Sequence, residues 1–208
     1  MDEGQLRLSE QIDQATQRVI DVARVITEPD LRESSLLPGW TRAHVLAHLT
    51  QGADAMRSLL IGARTGRARP VYASAEAREA GAHMTAIDLT TELANSAMAL
   101  RAVARQLPDA AWGVTVQVPG SAPFPAHELL TRRLVEVELH HCDLGTGYAP
   151  ADWPAAFAAM ELAEPMRSQR EDRLKNPGSV QAPKLRAPRP PAPYNPAQRL
   201  PGSWIGKK

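Results

Sequence analysis

"RRLVEVELHHCDLGTGY", residues 132–148, crowds acids, bases and two histidines into little more than three helical turns. It reads as either a charged outer face or half of a metal site turned inward. With Glu136 set at zero and about 100° per residue, Arg133 falls at about +60°, His140 at about +40° and Asp143 at about −20°. Apolar arcs flank this polar stripe on both sides: Leu130, Leu134, Val137 and Leu144 on one, Val135, Leu139 and Cys142 on the other. His127, Thr131, Glu138 and His141 gather on the far side, where solvent is expected. A solvated salt-bridge face would leave apolar shoulders exposed on both flanks, so Glu136 and His140 are read as facing inward.

Buried charge is costly unless it is paired or ligates a cation. A Glu and a His four residues apart on a helix project side by side and suit one metal ion. A third ligand must come from elsewhere, and the helical pattern through "RAHVLAHLTQGADAMRSLLIGA" (residues 42–63) offers His44 and His48. His48 lies on the edge of the apolar face beside Gly52 and Ala55, which leave room, whereas His44 points further out. The reading is therefore a triad of His48, Glu136 and His140: two histidines and one carboxylate with open positions. That donor set suits catalytic zinc and also iron and other divalent ions. Asp143 and Arg133 share the stripe and either orient a ligand or make ordinary ion pairs. Cys142 falls among Val135 and Leu139 and reads as a buried structural thiol.

Four long helical patterns carry these residues. The first runs through residues 5–26 with Leu8, Ile12, Ala15, Val19, Ala23 and Ile26 at helical spacing. The second follows Thr41, a plausible N-cap. The third shows Leu89, Leu93, Ala97, Leu100, Ala104 and Leu107 as one stripe, and the fourth starts near Pro125, suited to a first helical turn. The expected fold is all-α, a four-helix bundle. Between the third and fourth helices, Val114, Val116 and Val118 alternate with polar residues up to Pro119-Gly120, so a short β-hairpin insertion is expected. A fifth helical stretch is expected over residues 153–172.

The 208 residues are 43% apolar, enough for one real core. Beyond Asp172 there are eight basic residues and no acidic one, so residues 1–172 hold 16 basic against 23 acidic residues. The bundle is assigned to residues 1–172, and residues 173–208 to a Pro-rich basic tail, extended or disordered. The tail lacks regularly interleaved aromatics and reads as a solvated or docked arm rather than a nucleic-acid contact. A single cysteine excludes an internal disulfide, and the N-terminus has neither a basic nor an apolar leader segment, so a cytoplasmic location is expected. No apolar run approaches the roughly 20 residues of a membrane span.

Three segments, "LPGWTRAHVLAHLTQGADAM", "VYASAEAREAGA" and above all "EVELHHCDLGTGYAPADWPAAF", resemble the mycothiol-dependent maleylpyruvate isomerases of the DinB-like metal-binding four-helix-bundle superfamily. The resemblance covers roughly residues 5–160 and implies a DinB-like bundle. It also implies a ligand triad at His48, Glu136 and His140, a divalent metal that is usually zinc, and mycothiol as thiol cofactor or cosubstrate. The implied reaction is thiolate addition to maleylpyruvate, rotation about the former double bond, and elimination. A bound metal stabilises a thiolate, which makes that chemistry coherent at neutral pH. Such isomerases carry a second folded C-terminal domain, where this sequence continues as a proline-rich tail. An S-transferase acting on another electrophile, and a non-catalytic metal-binding or regulatory module, therefore stand as alternatives. The partners expected are a small-molecule substrate and a low-molecular-weight thiol.

Overall fold

Asp2 starts the first helix by a reciprocal cap: its carboxylate accepts the Gln5 N–H at 2.8 Å, while the Gln5 side chain accepts the Asp2 N–H at 3.0 Å. In the computed structural model, which describes residues 1–67, 69, 75–118 and 121–176, this helix is α1 (Glu3–Val25). A short α2 (Glu28–Arg32), capped by Thr27, turns the chain toward α3 (Arg42–Thr65). Thr41 is the N-cap of α3, as expected, and Gly66 ends that helix in the left-handed region at φ 67°. Helix α4 (Ala75–Ala82) and helix α5 (Ala86–Arg105), the latter capped by Thr85, follow.

After a 3₁₀ turn at Asp109–Gly113, strands β1 (Thr115–Val116) and β2 (Phe124–Pro125) pair antiparallel. This is the small hairpin insertion expected from the alternating valines; its Pro119-Gly120 tip lies outside the described residues. Helix α6 (Glu128–Asp143) comes next, then a 3₁₀ turn at Pro150–Asp152, α7 (Ala155–Ala158) and α8 (Met166–Lys175). The protein is an all-α, DinB-like bundle in which α3 packs on α5 and α6, and α1 closes the ring against the same two helices. The core is built from the expected stripes: Val19 and Ala23 of α1, Leu46 and Leu49 of α3, Leu89 and Leu93 of α5, and Leu134 and Val137 of α6 are all buried.

Three expectations change. The fourth helix begins at Glu128, not near Pro125, because the Ala126 and His127 amides still donate across the hairpin to the carbonyls of Val114 and Trp112 at 2.9 and 3.0 Å. The fifth stretch is not one helix but α7 and α8, separated around Pro165. Proline lacks an amide donor and drives its predecessor out of helical conformation. Helix α8 itself runs to Lys175, and the tail from residue 177 onward lies outside the described residues.

The third change concerns the far side of α6. Glu138 and His141, expected in solvent, are 1% and 3% exposed. Helix α1 covers that face, and Arg18 Nη2 meets Glu138 Oε1 at 2.5 Å. The Tyr148 hydroxyl donates to Glu138 Oε2 at 2.7 Å, and the Tyr148 ring stacks on His141 with centroids 3.8 Å apart. Helix α6 is thus covered on nearly every side, and the buried carboxylate is tolerated because it is paired and hydrogen-bonded.

Candidate metal and thiol site

One stretch of α6 remains open to a cleft, and there Glu136 and His140 meet His48 of α3. His48 Nε2 lies 3.4 Å from Glu136 Oε1, and the His48 and His140 rings stand edge to face at 4.7 Å between centroids. Gly52, one turn along α3 from His48, makes this approach possible. A Cβ at position 52 would lie 2.3 Å from Glu136 Oε1 and 2.7 Å from Oε2.

Buried side chains hold two of the three groups in place. Arg133, 1% exposed, donates from Nη1 to Glu136 Oε2 at 2.9 Å and to the Leu49 carbonyl at 2.9 Å, tying α6 to α3. Glu136 Oε1 is thereby left facing His48. His140 Nδ1 lies 2.8 Å from Asp143 Oδ2, and that carboxylate, fully buried, also accepts from Arg173 Nη2 at 2.9 Å. Burial alone would raise the Asp143 carboxyl, but the hydrogen bonds and charges of His140 and Arg173 outweigh it and hold it below the usual carboxylate range. An ionised Asp143 only accepts, so His140 Nδ1 carries the hydrogen of this bond and Nε2 is the ring nitrogen left for another partner. Arg133 thus makes an ion pair with Glu136, and Asp143 a hydrogen bond with His140, each partner being a candidate ligand.

His48 is pushed well below the ordinary histidine range, first by desolvation and then by the neighbouring His140, Arg78 and Arg133. A neutral imidazole is the form that ligates metals. Two imidazoles and a carboxylate are the donor set of an open, catalytic-type site, and that chemistry suits a divalent ion. Among the described residues no three His, Cys, Asp or Glu side chains, as they stand, are grouped so as to hold a metal ion. Here the Glu136 carboxylate is shared between His48 and Arg133. His44, the other histidine of α3, is used locally: its Nδ1 lies 3.2 Å from the Thr41 amide and its Nε2 3.1 Å from Glu79.

The triad lines a cleft of about 610 Å³ together with Met56, Arg132 and Gln169. Arg132 sits with its guanidinium 3.8 Å from the Phe124 ring centroid, and Trp40 flanks His48 edge-on at 5.4 Å. Cys142 lies in the core, where burial pushes its thiol to about 12. It is a packed thiol, with no access to the cleft chemistry.

The residue that sequence reading missed is Arg173, placed in the tail but in fact buried on α8. The spacing Met166, Arg170, Arg173 carried the signal, since it marks one helical face. The basic tail composition that follows masked it.

The family model described as the mycothiol maleylpyruvate isomerase N-terminal domain matches residues 12–145. Two solved structures resemble the chain: the mycothiol-dependent maleylpyruvate isomerase, at 29% identity, and a histidine-to-alanine mutant of it, at 28%. Each gives a TM-score of 0.68 over 74% of this chain and 65% of the other, so the chain spans slightly less than two thirds of the solved proteins' length. No curated protein matches. None of the described helices is long and apolar enough to cross a membrane. With His48, Glu136 and His140 all inside the matched region, the chain belongs to the mycothiol maleylpyruvate isomerase N-terminal domain family.

Proposed function

We propose that this protein is a divalent-metal enzyme that uses mycothiol and isomerises maleylpyruvate or a closely similar unsaturated acid. The observation that carries the reading is the meeting of His48, Glu136 and His140 in one cleft, with Gly52 absent a side chain where Glu136 needs room. These three residues would hold the metal, zinc foremost. When bound, it would supply the positive charge that lets a thiol ionise at neutral pH.

The chain's own groups do the rest. Arg133 keeps one Glu136 oxygen engaged so that the other stays directed at His48. Asp143 holds the proton on His140 Nδ1 and so keeps Nε2 a donor. Arg132 brings a guanidinium to the cleft wall, where a substrate carboxylate can be met. The only cysteine is buried and protonated, so the nucleophilic thiol must be supplied from outside, which is what a thiol cosubstrate provides. The cleft lies within the roughly 300–1,000 Å³ typical of small-molecule sites.

A second reading, thiol transfer to another electrophile, draws on one observation. Part of the cleft wall comes from residues 165–173, beyond the stretch matched by the family model. The same site with a different wall can take a different substrate.

Purified protein incubated with zinc, mycothiol and maleylpyruvate is expected to consume maleylpyruvate only when both metal and thiol are present. His48→Ala and His140→Ala are expected to lower bound metal sharply and activity with it, whereas Cys142→Ser keeps both. Full metal occupancy without turnover of maleylpyruvate or any other electrophile would point instead to a binding module. Equal metal content in all three variants would remove the ligand assignment.

A further inference from the structure

Helix α8 lies beyond residues 12–145, yet it and the residue before it supply Pro165, Met166, Gln169, Asp172 and Arg173 to the cleft that holds the triad. The helix is firmly seated. Met166 is buried in the core, and Arg170 Nη1 donates to the carbonyls of Phe157 and Met160, each at 2.8 Å. Arg173, about one turn further on, reaches the other way and donates to Asp143 Oδ2, the same oxygen that meets His140 Nδ1.

That shared oxygen makes the arrangement directional. Both partners of the ion pair are buried, where charge pairs are strong and little screened by salt. Asp143 Oδ1 has no hydrogen-bond partner, so among the described residues only Arg173 and His140 fix the carboxylate. An imidazole three residues from the helix end can turn about its side-chain torsions; a fixed acceptor opposite Nδ1 stops it. Remove the guanidinium, and Asp143 loses the only anchor it has among the described residues besides the ring it is meant to orient.

We infer that Arg173 is a positioning residue for His140, acting through Asp143, so that the C-terminal helix α8 is a working part of the site. This rests on the metal reading above. It adds that residues outside the matched family domain set the ring plane and tautomer of one ligand. Arg173 itself need touch neither metal nor substrate.

The test uses the 208-residue protein labelled with ¹⁵N-histidine, first without metal, so that its outcome is separable from the functional reading. In the wild-type protein, the His140 ring is expected to show a single tautomer with the proton on Nδ1. In Arg173→Met, which keeps the stem and removes the guanidinium, that signature is expected to give way to mixed tautomers. Zinc affinity by chelator competition should weaken by about 10-fold, within the range for groups that orient ligands. Arg173→Lys should restore part of both, since it returns the charge without the planar fork. It also provides the readout if the methionine variant does not fold. Arg170→Met loosens α8 without touching Asp143 and should leave the His140 tautomer unchanged. An unaltered tautomer and zinc affinity in the Arg173 variants would overturn the inference, as would an equal effect of Arg170→Met. A tautomer change in a protein that binds no zinc would sustain the positioning role while removing the metal reading.

Discussion

Gly52→Ala is expected to weaken zinc binding by at least about 100-fold, the upper end of what even an outer-layer change costs a metal site, while leaving the fold intact. The new methyl group would lie 2.3 Å from Glu136 Oε1 and 2.8 Å from its carboxyl carbon, so the carboxylate must move. Glu136 cannot simply slide aside, because Oε2 is held by Arg133, a buried guanidinium also bound to the Leu49 carbonyl. Swinging out costs both the ligand oxygen and the Arg133 ion pair. Against the roughly 3–5 kcal/mol cost of unpairing a buried charge, alanine is favoured over glycine by about 0.8–1.0 kcal/mol inside a helix, so a net stability loss of about 2–4 kcal/mol is expected. Chelator competition and urea unfolding on the same sample separate the two effects. Zinc affinity unchanged by the substitution would mean that Glu136 is not a ligand.

The second large effect is on stability against pH. His141 is buried and stacked on Tyr148, and among the described residues neither ring nitrogen has a hydrogen-bond partner. Its pKa is lowered to about 4 by desolvation, with the nearby Arg18 charge adding to it. In the unfolded chain the same ring titrates near 6.5, so between those values the unfolded state binds the extra proton and stability falls as pH falls. Above about pH 6.5 both states are neutral and the group contributes no slope; below about pH 4 the loss is complete. The full loss is about 3 kcal/mol, from roughly 1.4 kcal/mol for each pH unit of displacement. His141→Phe keeps the stacked ring and removes the titration. In metal-free protein its stability should therefore fall about 3 kcal/mol less than that of the wild type between pH 7 and pH 4. Parallel denaturation curves for the two proteins across that range would show that His141 is not the buried neutral ring described.

His141 also shows where sequence reading fails. A helical wheel recognises a core by apolar residues, and it found the stripes through Leu89, Leu93 and Leu100 and the two arcs of α6 because nothing else competes for those positions. It assigned Glu138 and His141 to solvent because their partners are tertiary. Arg18 lies 120 residues away on α1, and Tyr148 returns only after the left-handed glycines at 145 and 147. The approach of His48 to Glu136 and His140 was legible because each helix carries its polar groups on the edge of an apolar face, with Gly52 marking a place where backbones draw close. The start of α6 was not, since the pairing that holds residues 124–127 in the hairpin leaves no trace in periodicity. Arg173 was lost for a similar reason: composition changes at residue 173, but the helix continues to Lys175.

His48, Glu136 and His140 either share one cation or do not. The most direct measurement is diffraction from zinc-soaked crystals of the 208-residue protein, recorded on both sides of the zinc absorption edge. The expected result is an anomalous peak bonded to His48 Nε2, a Glu136 oxygen and His140 Nε2 at about 2.0–2.2 Å, with at least one remaining position open to water or thiol. Crystals that take up zinc elsewhere, or leave this cleft without an anomalous peak at saturating zinc, would contradict it.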